Sequence, residues 1–185
     1  MSKILSEKVV FDHTLTVVEA EVSNGKNTFE RSKLRRVDAA VVLVHNTETD
    51  KLILTTQFRY AIYEKAGEGL WEIVAGKLDE DEDPKDAAVR ETLEEVGYKI
   101  DAGKLEHIAT CFVSPGYSEE RFYIYYAAVT SKNRMGDGGG LESENEDIKV
   151  LEISTNEFLK KLQKKEIFDA KTVIAAMWLE ARFKK

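Results

Sequence analysis

The sequence predicts a mixed-sheet α/β or α+β sandwich. Three observations predict it: many short runs rich in β-branched residues and broken by turn clusters, one strongly capped central helix, and a helical C-terminus. At 185 residues the chain is long enough for one sizeable core and short for two.

Residues 8–21 and 37–57 read as strands, the second region as a hairpin around NTETD, with GKN opening a turn between them. Residues 104–113 and 121–129 read as two more, separated by a loop that Pro115-Gly116 marks, and 148–154 as a last short strand. The central helix starts at the N-cap Asp83, has Pro84 at its first position and stops at Gly97. Amphipathic spacing predicts helices over 155–164, opened by Thr155, and over 169–183. The glycine-rich stretch 132–148 reads as a mobile loop, since three consecutive glycines cost much chain entropy to order.

No 18-residue apolar window and no secretory leader is visible, so the expected address is the cytoplasm, with no membrane partner. The single cysteine, Cys111, lies in an apolar run and is expected to be a buried, inert thiol. His13, His45 and His107 share no ligand spacing and read as surface or satisfied core residues. Trp71 is expected beside the central helix and Trp178 in the core of the terminal one.

The net charge of −7 is a local feature. Of 34 acidic and 27 basic residues, nine and two fall between Asp79 and Glu95, leaving 25 of each elsewhere. Nucleic acid, which asks for a basic face, is excluded as a partner. On the central helix Val89, Leu93 and Val96 form one stripe, the expected core side, while Glu91 and Glu95 project from nearly the opposite side. Such a helix is usually a solvated surface. Stacked like charges nevertheless weaken a helix, and Arg90, within reach of Glu94, cannot neutralise them all. An all-oxygen carboxylate set points to a hard divalent cation, Mg²⁺ or Mn²⁺, that would bring substrate phosphates to the acidic surface.

Gly76, Glu82 and Arg90-Glu91-Thr92-Leu93-Glu94-Glu95-Val96-Gly97-Tyr98 resemble the Nudix box, G-x5-E-x7-R-E-U-x-E-E-x-G-U, with U a bulky aliphatic. Every fixed letter is present; Thr92 and Tyr98 depart at two U positions. From about residue 30 onward, Gln57-Phe58-Arg59, LWEIVAG, Ser114-Pro115-Gly116 with Glu120, GGGLESENEDI and DAKTV resemble the nucleoside diphosphate sugar branch. GGG with EDI and DAKTV is closest to the GDP-mannose pyrophosphatases, ENEDI to the ADP-ribose pyrophosphatases.

The resemblance implies a Nudix α/β/α sandwich over 37–185 and an N-terminal antiparallel strand extension over 1–36 that is exchanged in a homodimer. It implies Mg²⁺-dependent hydrolysis of a nucleoside diphosphate sugar, GDP-mannose first, giving a nucleoside monophosphate and a sugar 1-phosphate. ADP-ribose hydrolysis to AMP and ribose 5-phosphate is the near alternative, and a non-catalytic nucleotide-sugar sensor the alternative of another class. Metal ligands by resemblance are the Ala75 carbonyl, Glu91, Glu94, Glu95 and the loop residue Glu146, with Glu82 in support. Glu144 matches the general base and Arg90 the arginine that orients the box glutamates; Arg31, Arg36, Arg59, Glu120 and Lys171 match substrate contacts.

Overall fold

The computed structural model describes residues 1–144 and 146–184, apart from the side chain of Glu144. These fall into two compact units, Met1–Asp38 with Cys111–Phe122, and Ala39–Thr110 with Tyr123–Lys185. Among the described residues, no helix is long and apolar enough to cross a membrane.

The first unit carries a three-stranded antiparallel meander, β1 (Lys3–Asp12), β2 (Thr16–Ser23) and β3 (Thr28–Arg35). The region expected to be strand over 8–21 is thus two strands, joined by a turn in which Thr16 donates to Asp12 at 2.8 Å. The next turn is built by Asn24, whose side-chain oxygen accepts from the backbone N–H groups of Lys26 and Asn27, while Gly25 supplies a φ of 87°. Val18 is buried, whereas β1 is exposed along its whole length.

In the second unit a short helix α1 (Tyr63–Ala66), unforeseen in the sequence, follows β4 (Ala39–Asn46) and β5 (Lys51–Thr56). Strand β6 (Val74–Lys77) leads to helix α2 (Pro84–Val96). Strands β7 (Glu106–Phe112), β8 (Arg121–Val129) and β9 (Lys149–Ser154) complete a six-stranded sheet in the order β7-β8-β4-β5-β9, with β6 paired to β4. Helices α3 (Thr155–Gln163) and α4 (Ala170–Phe183) end the chain.

Every residue of β4 is buried, as a central strand covered on both faces requires. Alternation sends Ala40, Val42 and Val44 toward α2, where they join Ala87, Ala88, Val96, Tyr98, Ile53 and Val74 in one core cluster. Helix α4 packs on β4 as well and buries Ala175, Ala176 and Leu179, so helices cover the sheet as an α/β fold demands.

His45 is a satisfied core histidine, in hydrogen-bond contact with the Tyr126 hydroxyl at 2.9 Å and Asp50 at 3.1 Å. Trp178 packs on Tyr126. Trp71 has Lys161 of α3 over its ring at 4.6 Å. Cys111 is only half-buried, because β7 alternates between covered and open positions.

Candidate functional site

Helix α2 begins as its sequence dictates, with the Asp83 carboxylate accepting from Lys85 N–H at 2.8 Å and Pro84 in the first turn. It ends at Gly97, φ 71°, whose N–H returns to Leu93 O. The buried face differs from the expected one. Ala87, Ala88, Thr92, Glu95 and Val96 are covered, whereas Leu93 is 44% exposed. Small residues let the helix approach β4 and β6 closely, and Thr92 satisfies its hydroxyl on Ala88 O at 2.7 Å. The face centres on Thr92 and Glu95 for that reason, so one of the two opposed glutamates turns inward. Both departures from the box pattern are core positions, Thr92 fully buried and Tyr98 3% exposed.

Arg90 is the hub of the carboxylate cluster. Its guanidinium donates to Glu82 at 3.0 and 2.8 Å, to Glu91 at 2.6 Å, to Glu94 at 3.3 Å and to the Lys77 carbonyl at 3.0 Å. That answers the helix-surface repulsion: one planar fork addresses three carboxylates and ties α2 to the end of β6. Opposite it, a Cβ placed on Gly76 would overlap the Glu91 carboxylate, so the glycine leaves that side chain room to lie against β6.

Glu95 lies deepest, 2% exposed, and its carboxylate accepts one hydrogen bond among the described residues, from Ala75 N–H at 3.3 Å. Burial, reinforced by Glu91 and Glu146, pushes its carboxyl up to about 8. Burial also raises Glu91, against the pull of Arg90. Two desolvated carboxylates with too little positive charge are what a dication would relieve. Among the described residues no three acidic, histidine or cysteine side chains close a cage by themselves. Such carboxylates could hold a hard cation only in an open, oxygen-only site, whose remaining positions would go to water and phosphate oxygens.

The glycine-rich loop is docked on α2. Gly138, Gly139 and Gly140 have φ of 71°, 116° and 79°. The N–H groups of Gly139 and Gly140 donate to Glu95 O at 2.9 Å and Glu94 O at 3.1 Å, carbonyls that the helix end leaves unsatisfied. The mobile loop expected from three glycines is therefore a cap: the same freedom from a Cβ lets the backbone reach the helix. The loop then places Glu146, whose carboxylate accepts from Leu141 N–H at 3.1 Å.

A NUDIX domain family model matches residues 34–175. This chain belongs to the Nudix family. It is 33% identical over 178 residues to the methanol dehydrogenase activator of Bacillus methanolicus, covering 96% of this chain and 89% of that protein. It is 34% identical over 186 residues to the GDP-mannose pyrophosphatase of Cronobacter sakazakii (97% and 93%). To the ADP-ribose pyrophosphatase of Bacillus subtilis it is 32% identical over 183 residues (97% and 90%). The Nudix chain is a hydrolase acting on diphosphate bonds.

The Nudix box thus gathers Ala75, Arg90, Glu91, Glu94, Glu95 and, through the docked loop, Glu146. The Glu144 side chain lies outside the described residues. Arg59 and Lys171, expected at substrate, meet on a residue that the sequence reading passed over, Glu72. Its carboxylate, 4% exposed, accepts from Arg59 at 2.8 and 3.0 Å and from Lys171, whose ammonium also reaches Asp169 at 3.0 Å. A charged residue inside the apolar run LWEIVAG was the available signal, because an unpaired charge does not stay in such a run.

The first unit holds Arg31, whose guanidinium lies over the Phe29 ring at 4.4 Å, and Arg36, paired with Glu120 at 3.5 Å.

Burial alone would raise the Glu72 carboxyl, but Arg59 and Lys171 outweigh it and hold it below the ordinary carboxylate range. A depressed folded value stabilises above the unfolded one and is lost as pH falls through the folded value. Acid unfolding monitored by circular dichroism should therefore need a higher pH in Glu72→Gln than in the parent. An unchanged acid midpoint would remove Glu72 from the acid-stability account.

Proposed function

We propose that this Nudix hydrolase cleaves the diphosphate bond of a nucleoside diphosphate sugar in a Mg²⁺-dependent reaction, GDP-mannose being the favoured substrate. The observation that carries the reading is the desolvated pair Glu91 and Glu95, set against Gly76 and Ala75 with Arg90 already engaged. The proposed ligands are Glu91, Glu94, Glu95, Glu146 and the Ala75 carbonyl. Bound there, Mg²⁺, or Mn²⁺ in its place, would screen the diphosphate and lower the pKa of the attacking water.

The protein's own groups do the rest. Arg90 orients the box glutamates through the bonds described above. Arg59, half-exposed on its open side, takes a phosphate oxygen. By the motif resemblance Glu144 accepts the proton of the attacking water. Water adds to one phosphorus, the bridging P–O bond breaks, and a nucleoside monophosphate and a sugar 1-phosphate separate. Arg31, Arg36, Glu120 and Lys171 are carried as substrate contacts on the resemblance alone. ADP-ribose stands as the second substrate, since the ADP-ribose pyrophosphatase relative is similar at nearly the same identity as the GDP-mannose one. An unpaired single cysteine accords with a reducing compartment, and we place the protein in the cytoplasm.

The test is a panel of GDP-mannose, ADP-ribose, ADP-glucose and a dinucleoside polyphosphate, with and without Mg²⁺, products identified by chromatography. GMP and mannose 1-phosphate should dominate, and chelation should abolish them. AMP and ribose 5-phosphate would favour the second substrate. No monophosphate from any member would overturn the enzymatic reading and favour a nucleotide-sugar sensor.

We also propose that residues 1–36 form a dimerising extension to the main domain over 37–185. Ile4, Leu5, Val9, Val10 and Phe11 leave β1 openly apolar on an edge strand, a surface that asks for a cover. Light scattering should give twice the 21.0 kDa chain mass, and Phe11→Glu with Val9→Glu should return it to the monomer value. A monomeric parent would refute the assignment.

A further inference from the structure

We propose that Glu72 is a positioning residue for the reaction, fixing the Arg59 guanidinium at the angle from which its remaining edge meets a substrate phosphate; this rests on the diphosphate reading above.

The backbone of Glu72 is pinned in both directions to Thr55, donating at 2.9 Å and accepting at 2.8 Å. Its neighbour Ile73 is held by the Thr172 hydroxyl at 3.0 Å, and Thr172 is held in turn by Asp169, the N-cap of α4. Two segments distant in sequence, at Thr55 and at the start of α4, therefore fix where the Glu72 side chain starts. Its end is fixed too. Lys171, 7% exposed, grips one carboxylate oxygen while Asp169 grips Lys171. A carboxylate clamped at both ends does not follow a moving arginine; the arginine conforms to it.

Arg59 is engaged side-on, through Nε and Nη2, and among the described residues Nη1 makes no hydrogen bond. The pair is asymmetric in exposure, 40% for Arg59 against 4% for Glu72, so its open side is the cation. Arg59 also feels the charge of Glu95. Without Glu72 the guanidinium is a cation that the acidic box attracts, and a salt bridge there would withdraw it from the substrate. Glu72 prevents that collapse. Planar, bidentate clamping supplies an angle as well as a charge, which a lysine at position 59 would not use.

The experiment is steady-state kinetics on a diphosphate substrate from the panel, with Arg59→Ala, Glu72→Gln and the double variant, each checked for parental circular dichroism. Arg59→Ala should raise KM at least about tenfold. Glu72→Gln should raise it about tenfold with kcat changed by less than about threefold, and in the Arg59→Ala background should add nothing. Glu72→Asp keeps the buried charge, so it folds, but withdraws the oxygens from Arg59; its KM should still rise severalfold. A parental KM in Glu72→Asp, or effects that multiply in the double variant, would overturn the proposal. An Arg59→Ala variant with parental KM would overturn it differently, by removing Arg59 from the substrate, while monophosphate release on the panel would still stand.

Discussion

Replacing Glu95 by glutamine is expected to lower turnover by at least about a thousandfold while leaving the protein folded. The substitution preserves shape, and the amide oxygen can still accept from Ala75 N–H, the bond that Glu95 accepts at 3.3 Å. What disappears is a carboxyl almost wholly removed from water, whose ionisation burial opposes and a bound cation would favour. In the parent its charge is costly in the absence of a cation, which is why the carboxyl is pushed up to about 8. A melting temperature equal to or above the parent's is therefore expected for the metal-free variant. Catalysis moves the other way. A ligand charge that positions a dication contributes several kcal/mol of transition-state stabilisation, and each 1.36 kcal/mol is a factor of ten. Measuring kcat across a Mg²⁺ titration decides it: turnover within tenfold of the parent at saturating Mg²⁺ would refute the metal assignment at Glu95. A variant that also melts far below the parent would instead make Glu95 structural.

Particular residues show how far the chain could be read before its fold was known. The caps at Asp83, Pro84 and Gly97 were legible because capping is local chemistry, set within four residues. The hairpin of β4 and β5 was legible for a similar reason, β-branched runs on either side of the turn cluster NTETD. The core face of α2 was not. Large side chains were expected on the core side and the carboxylates opposite it, but the packing against β4 and β6 favoured alanine and threonine, and so exposed Leu93 while covering Glu95. Local pattern carries no information about how closely a second element will approach. The same limit hid Glu72, whose partners Arg59 and Lys171 lie at other places in the sequence. It also hid the docked state of the glycine run: entropy alone makes three glycines a loose loop, and only the unsatisfied carbonyls of Glu94 and Glu95 make them a cap. Composition located the site; the tertiary approach of Gly76 and Gly138 to α2 decided its geometry.

Replacing Gly138 by alanine should therefore cost about a hundredfold in turnover with only a few degrees of melting temperature. An added Cβ would run into the Glu95 carbonyl and the Val96 Cα, both backbone atoms of a helix end that cannot step aside. The φ of 71° adds left-handed strain of about 1 kcal/mol for any residue but glycine. Global stability is partly shielded, because Gly97 still closes α2 through its own N–H to Leu93. For a chain of 185 residues a strain of this size shifts melting by roughly 2–4 °C. The loop is not shielded. Once Gly139 and Gly140 lose their bonds to Glu95 and Glu94, the Leu141 N–H and the Glu146 carboxylate that it holds lose their place. Misplacement of a site group by about 1 Å is enough for a hundredfold loss. Gly136→Ala is the matched control in the same loop, since a Cβ there meets nothing within 4 Å and no unusual φ is required. Kinetics and melting of the two variants side by side give the test. Equal, parental turnover in both would show that docking of the glycine run on α2 does not place Glu146 for the reaction, whereas loss confined to Gly138→Ala ties the positive-φ cap directly to catalysis.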